Sequence, residues 1–191
     1  MAPIPVPYHR QQGPTRCGAA CLLMVLEALK APSKTQETLY DDSHEHGEKD
    51  PKAAWWSPPD GVEWALEHRS PLSKAAVELA AFTSELSLTR RIVWSLFQHS
   101  VPPIVLVGGK NHWLVIVDYD ITANPTGPSD SSYTIRALEY HDPWRTVEDP
   151  DPPPPPPPSH ITLEAWLTDY LCAVPDGYWQ GKRVAIGVFG E

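Results

Sequence analysis

The chain has 191 residues, 41% of them hydrophobic, and a formal net charge of −9, which leaves room for one domain with a proper core and little for two. An acidic balance argues against a nucleic-acid partner, which calls for a clustered basic face. No apolar run approaches the ~18–20 residues that span a bilayer, and "MAPIPVPYHRQQ" lacks the basic-then-apolar order of a secretory signal, so no membrane association and a cytoplasmic location are expected.

Residues 1–14 are proline-rich and have to be positioned by packing. After Pro14, Thr15 is a plausible helix cap, and apolar residues at Ala19, Leu22, Leu23, Leu26 and Leu29 recur at the helical period. "CGAACLLMVLEALK" therefore predicts a mostly buried helix ending near Lys30. A short helix around 34–40 and a charged loop follow. "SPPDGVEWALEHR" starts another helix with Asp60 as its cap, and residues 87–99 a further one, ended by Val101-Pro102-Pro103.

The period then changes to two. "PIVLV", "HWLVIVDYD" and "SYTIRALEY" read as strands, with "GGKN" suited to a hairpin turn. "ITLEAWLTDYL" predicts a last helix and "KRVAIGVFG" a last strand. Helices first and strands afterwards imply a single α+β domain over 1–191. It has a mainly helical lobe at 1–100 and an antiparallel sheet lobe at 101–191, with a proline-rich insertion at 149–158. Within that insertion, Pro152–Pro158 form a polyproline rod about 22 Å long at ~3.1 Å per residue. A spacer is the preferred reading, and docking to an aromatic-lined groove of a partner is the functional alternative.

Three cysteines without a CxxC pair suit neither a disulfide framework nor a four-cysteine zinc site. Cys17 stands apart because it opens an apolar helix, where unpaired N–H groups and the positive dipole end favour a thiolate. His112 opens an apolar strand. That strand runs to about Tyr119 and returns from about Tyr133 to Tyr140, so antiparallel pairing brings Asp142 of "YHDPW" beside His112. A carboxylate there orients the imidazole and stabilises its cationic form. The Cys17 N–H and a side-chain amide from Gln11 or Gln12 can receive an oxyanion. Gly18 leaves space for a substrate, and Trp113 and Trp144 flank the site.

These blocks carry a family resemblance. "QQGPTRCGAACLLMVL" resembles the Gln-x5-Cys-Gly-x-Ala motif of papain-like cysteine peptidases of the bacteriocin-processing, double-glycine-leader type. "NHWLVIVDYD" resembles their histidine strand and "YHDPW" their Asp-Pro turn, and the likeness runs along nearly the whole chain. It implies a papain-like fold, a peptide or protein substrate and no cofactor. Cys17 is then the nucleophile, His112 the general base and acid, Asp142 its orienting partner, and Gln11 rather than Gln12 the oxyanion donor. The chain departs from the family in lacking a Walker-type motif, as a stand-alone form would. It also departs at Asp118, where a small residue is usual, and in the loop 121–132 and the proline rod, which resemble insertions.

His44, Glu45 and His46 lack a further placed metal ligand, so a solvated loop is expected and no metal site. Cys21, one helical turn after Cys17, and Cys172 read as packing thiols. Two alternatives to hydrolysis stand: an acyltransferase or amide ligase built on the same triad, and a non-catalytic peptide-binding module.

Overall fold

The structure is a computed structural model and describes residues 5–50, 55–109, 112–144 and 157–190. Residues 19–26 are buried to the last side chain, and α1 spans Cys17–Ala28. The cap position is Arg16, which makes no side-chain capping bond, so Thr15 is not the cap. Helix α2, Gln36–Glu45, runs past the expected end at 40 and takes in His44 and Glu45; Thr35 caps it by accepting the Thr38 N–H at 3.1 Å. In α3, Pro59–Arg69, the cap position is Pro58 and the first helical residue is proline, whose missing N–H costs nothing there. Asp60 sits in the first turn and accepts the Lys49 N–H through Oδ2 at 2.7 Å rather than capping.

The helical half also contributes a strand, β1, Glu78–Phe82, which the sequence did not reveal. Ser84 then caps α4, Glu85–Trp94, and one wider helical turn continues through His99. Strands β2 (Ile104–Val107), β3 (His112–Ile121) and β4 (Ile135–His141) lie where the period-two pattern puts them. "HIT" joins β5, Ser159–Thr162, before α5 (Leu163–Ala165) and a wide turn through Tyr170, so the expected last helix starts later. Strand β6, Arg183–Gly187, closes the chain.

All six strands pair antiparallel in the order β1-β6-β2-β3-β4-β5. The central strands are apolar on both faces because both are covered. Ile104, Leu106, Trp113, Val115, Val184 and Ile186 pack with α1, α2 and α3. Val105, Leu114, Ile116, Ala185 and Leu138 pack against Leu88, Ile92 and Trp166 of the other layer. The result is an α+β sandwich with helices on both sides of the sheet. Gly61 sets the spacing of α2 and α3, because a β-carbon there would strike the carbonyl of Ser43.

Val107 pairs with His112, with Gly108 and Gly109 between them in the left-handed region that glycine tolerates. The rest of the "GGKN" turn, Lys110 and Asn111, and residues 152–156 of the proline rod lie outside the described residues. Among the described residues no helix is long and apolar enough to cross a membrane.

Candidate active site

The first residue of α1, the first of β3 and the residue just after β4 meet at one end of the sheet. Cys17 is 2% exposed and opens a helix with no side-chain cap. His112 is partly buried. Its Nε2–H donates to Oδ1 of Asp142 at 2.6 Å, and Cys17 is near enough to the same imidazole to interact with it. With Nε2 engaged by the carboxylate, Nδ1 is the nitrogen left for sulfur. Register explains the convergence: β4 ends at His141 opposite Val115, so the next residue, Asp142, falls back toward the start of β3.

The electrostatics follow from these contacts. Burial disfavours a charged His112, but hydrogen bonds to Asp142 and Cys17, and the negative charge both can carry, outweigh it. The imidazole is pushed up to about 9 and is cationic at neutral pH. One turn along α1, Cys21 is fully buried. Burial pushes its thiol up, and its S–H donates to the carbonyl of Trp113 at 3.3 Å. Cys21 thus ties α1 to β3 directly beneath the site as a neutral thiol.

Gln11 lies in the irregular segment before α1, next to the turn that carries Asp142. Its backbone N–H donates to the carbonyl of Pro143 at 3.0 Å, and its side-chain Nε2 donates to the Gly13 carbonyl at 2.6 Å. Gly13, at φ +113°, supplies the bend that turns that carbonyl back. The Oε1 of Gln11 is buried with no hydrogen-bond partner among the described residues. Gln12 is exposed, and its backbone N–H is tied inward, to Oε1 of Gln36 at 2.9 Å.

The three flanking residues fall in different places. Trp144 is 51% exposed, with its indole edge-on to His112 at 6.2 Å between ring centroids, and its backbone N–H donates to Asp142 Oδ1 at 2.8 Å. Trp113 is core: its ring is buried and its Nε1–H donates to the Ser57 carbonyl at 3.1 Å. The space that a side chain at Gly18 would occupy is filled by Ser57, whose Cβ and Oγ lie 2.5 and 2.6 Å from an added β-carbon. The missing side chain at Gly18 therefore serves packing, not substrate access.

Elsewhere, His44 donates through Nδ1 to the Tyr40 carbonyl, and His46 stacks on Trp64 at 3.5 Å. Among the described residues no group of three or more His, Cys, Asp or Glu is arranged to hold a metal ion. Sequence reasoning missed Gln36, the Pro143 carbonyl and the Trp144 N–H. The last two are backbone groups that leave no trace in residue identity. Gln36 reads in sequence as one more polar residue at a helix start.

No protein-family profile and no curated protein matches the sequence. Solved structures do match. A double-glycine motif protease from an AMS/PCAT transporter, crystallised with its leader peptide, aligns over 98% of this chain and 94% of its own at a TM-score of 0.50 and 16% identity. The peptidase domain of Streptococcus ComA, a bifunctional ABC transporter, aligns over 96% and 97% at 0.49 and 15%. Over nearly its whole length the chain is thus similar in fold to a double-glycine motif protease.

Proposed function

We propose that the protein is a cysteine peptidase that hydrolyses amide bonds of a peptide or protein substrate, with Cys17 as nucleophile. The observation that carries this reading is the imidazole of His112 hydrogen-bonded to the Asp142 carboxylate, with Cys17 interacting with the same ring from the first residue of α1. The sulfur of Cys17 stands at a helix start beside that imidazole, the setting in which a cysteine serves as a nucleophile. The thiolate attacks the carbonyl carbon, and the oxyanion is received by the Cys17 N–H and the amide of Gln11. Gln11 has two amide hydrogens. One bonds the Gly13 carbonyl and fixes the plane, which leaves the other for the substrate oxygen.

His112 then gives its proton to the departing amine, and the acyl group stays on sulfur as a thioester. Water attacks the thioester as His112 takes the water proton, and the free acid and Cys17 are restored. Asp142 keeps the ring oriented through both halves and stabilises its cationic form whenever the ring holds the second proton. The protein with which the fold is shared was crystallised with a leader peptide, and an extended peptide is the substrate class proposed here. A cleavage-site profile on a peptide library tests the reading. Bonds cut by the wild type and spared by Cys17→Ala support it, and identical profiles for the two proteins overturn it.

A further inference from the structure

We infer that Gln36 is a positioning residue for this reaction: it aligns the oxyanion amide of Gln11 by clamping the backbone on either side of it. The inference rests on the peptidase reading above. Gln36 is 2% exposed, at the first position of α2, and its amide is used at both ends. Nε2 donates to the Arg10 carbonyl at 2.7 Å, and Oε1 accepts the Gln12 N–H at 2.9 Å. These are the two groups that a neighbouring strand would pair with around residue 11, because the carbonyl of residue i and the N–H of i+2 share one edge of an extended chain. Residues 10–12 belong to no strand, so one side chain does a strand's work.

The opposite edge is fixed as well, since the Gln11 N–H donates to the Pro143 carbonyl, next to Asp142. Gln11 is therefore held between α2 and the turn that carries Asp142. A buried amide with both ends satisfied stiffens the segment it joins, whereas loosening either side lets the Gln11 side chain swing. Oxyanion catalysis needs donors fixed in advance within a few tenths of an ångström. Thr35, by capping α2, fixes where Gln36 stands.

The test compares Gln36→Met, Gln11→Ala and the double variant, with peptide hydrolysis and iodoacetamide alkylation of Cys17 as readouts. Alkylation forms no oxyanion and reports only sulfur and imidazole. Gln36→Met is expected to lower kcat about 10- to 100-fold with little change in KM, somewhat less than loss of an oxyanion donor itself. Alkylation should keep its wild-type rate. In the Gln11→Ala background the same substitution should cost less than about threefold, because the residue it acts through is gone. An unchanged kcat, an undiminished loss in that background, or a parallel fall in alkylation overturns the role.

Gln36→Glu keeps the test usable if the methionine variant does not fold. A protonated carboxyl can both donate to Arg10 and accept from Gln12, so its activity relative to wild type should rise as pH falls, and a flat ratio contradicts the clamp. Failures are separable. A wild type with no Cys17-dependent cleavage overturns the peptidase reading and this role with it, whereas an active wild type matched by Gln36→Met overturns this role alone.

Discussion

Oδ1 of Asp142 accepts two hydrogen bonds, from His112 Nε2 at 2.6 Å and from the backbone N–H of Trp144 at 2.8 Å. The carboxylate is thus fixed before it orients the ring, and a turn of the main chain does the fixing.

Loss of that carboxylate should be felt first in titration. In Asp142→Asn the buried imidazole keeps its desolvation penalty and loses its main counter-interaction, so its titration midpoint, read by NMR, should fall from about 9 toward or below the ordinary value near 6.5. Hydrolysis should drop by at least about 100-fold, in line with the loss of orientation in comparable triads. An unmoved midpoint would show that Asp142 does not govern His112.

The same titration predicts the alkaline limb of activity. A group pushed up to about 9 stays protonated through neutral pH and loses its proton only above that value. Protonation of the leaving amine requires the cation, so kcat/KM should fall as pH passes about 9. The contribution of the ion pair to stability has the same sign. The folded-state value lies above the unfolded one, so this stabilisation is complete below about 6.5 and is lost as pH rises to about 9.

Trp144 allows its backbone and its side chain to be separated. Trp144→Ala removes the indole and keeps the N–H, and should change kcat by less than about tenfold. Trp144→Pro removes the N–H as well and should lower kcat further, by a factor of about 10 for one lost charge-assisted bond. Steady-state kinetics on the pair decides. Equal effects would mean that the backbone bond to Asp142 has no part in orienting it.

How much of this was legible in sequence depended on the reach of the signal. The start of α1, β2 to β4 and the pairing of His112 with Asp142 came from local periodicity and one antiparallel return, whereas Cys17 was joined to them by its place at a helix start and by motif resemblance. Strand β1 was hidden because "ELAAF" is alanine-rich and finds its partner, β6, at the far end of the chain. Strand β5 was hidden because "HIT" runs directly into a helix with no turn residue between them. The Thr15 cap failed because α1 starts one residue later than the cap rule allows, with Arg16 in the flanking position. Gly18 was assigned to substrate because its neighbour in space, Ser57, lies on another segment.

Packing at Gly18 gives a stability prediction. A β-carbon there meets Ser57, so Gly18→Ala should cost about 1–3 kcal/mol in urea unfolding, and adding Ser57→Gly should recover most of it. A neutral Gly18→Ala would return the glycine to the role of admitting substrate.

The most direct measurement is the rate of iodoacetamide alkylation at each cysteine, mapped by mass spectrometry at pH 6, in the folded wild type, in His112→Ala and in the urea-denatured chain. The account predicts that Cys17 in the folded wild type reacts at least about tenfold faster than the same thiol in the denatured chain. The advantage should vanish in His112→Ala, and Cys21 should stay unlabelled in the fold. A Cys17 that reacts no faster folded than unfolded would contradict it.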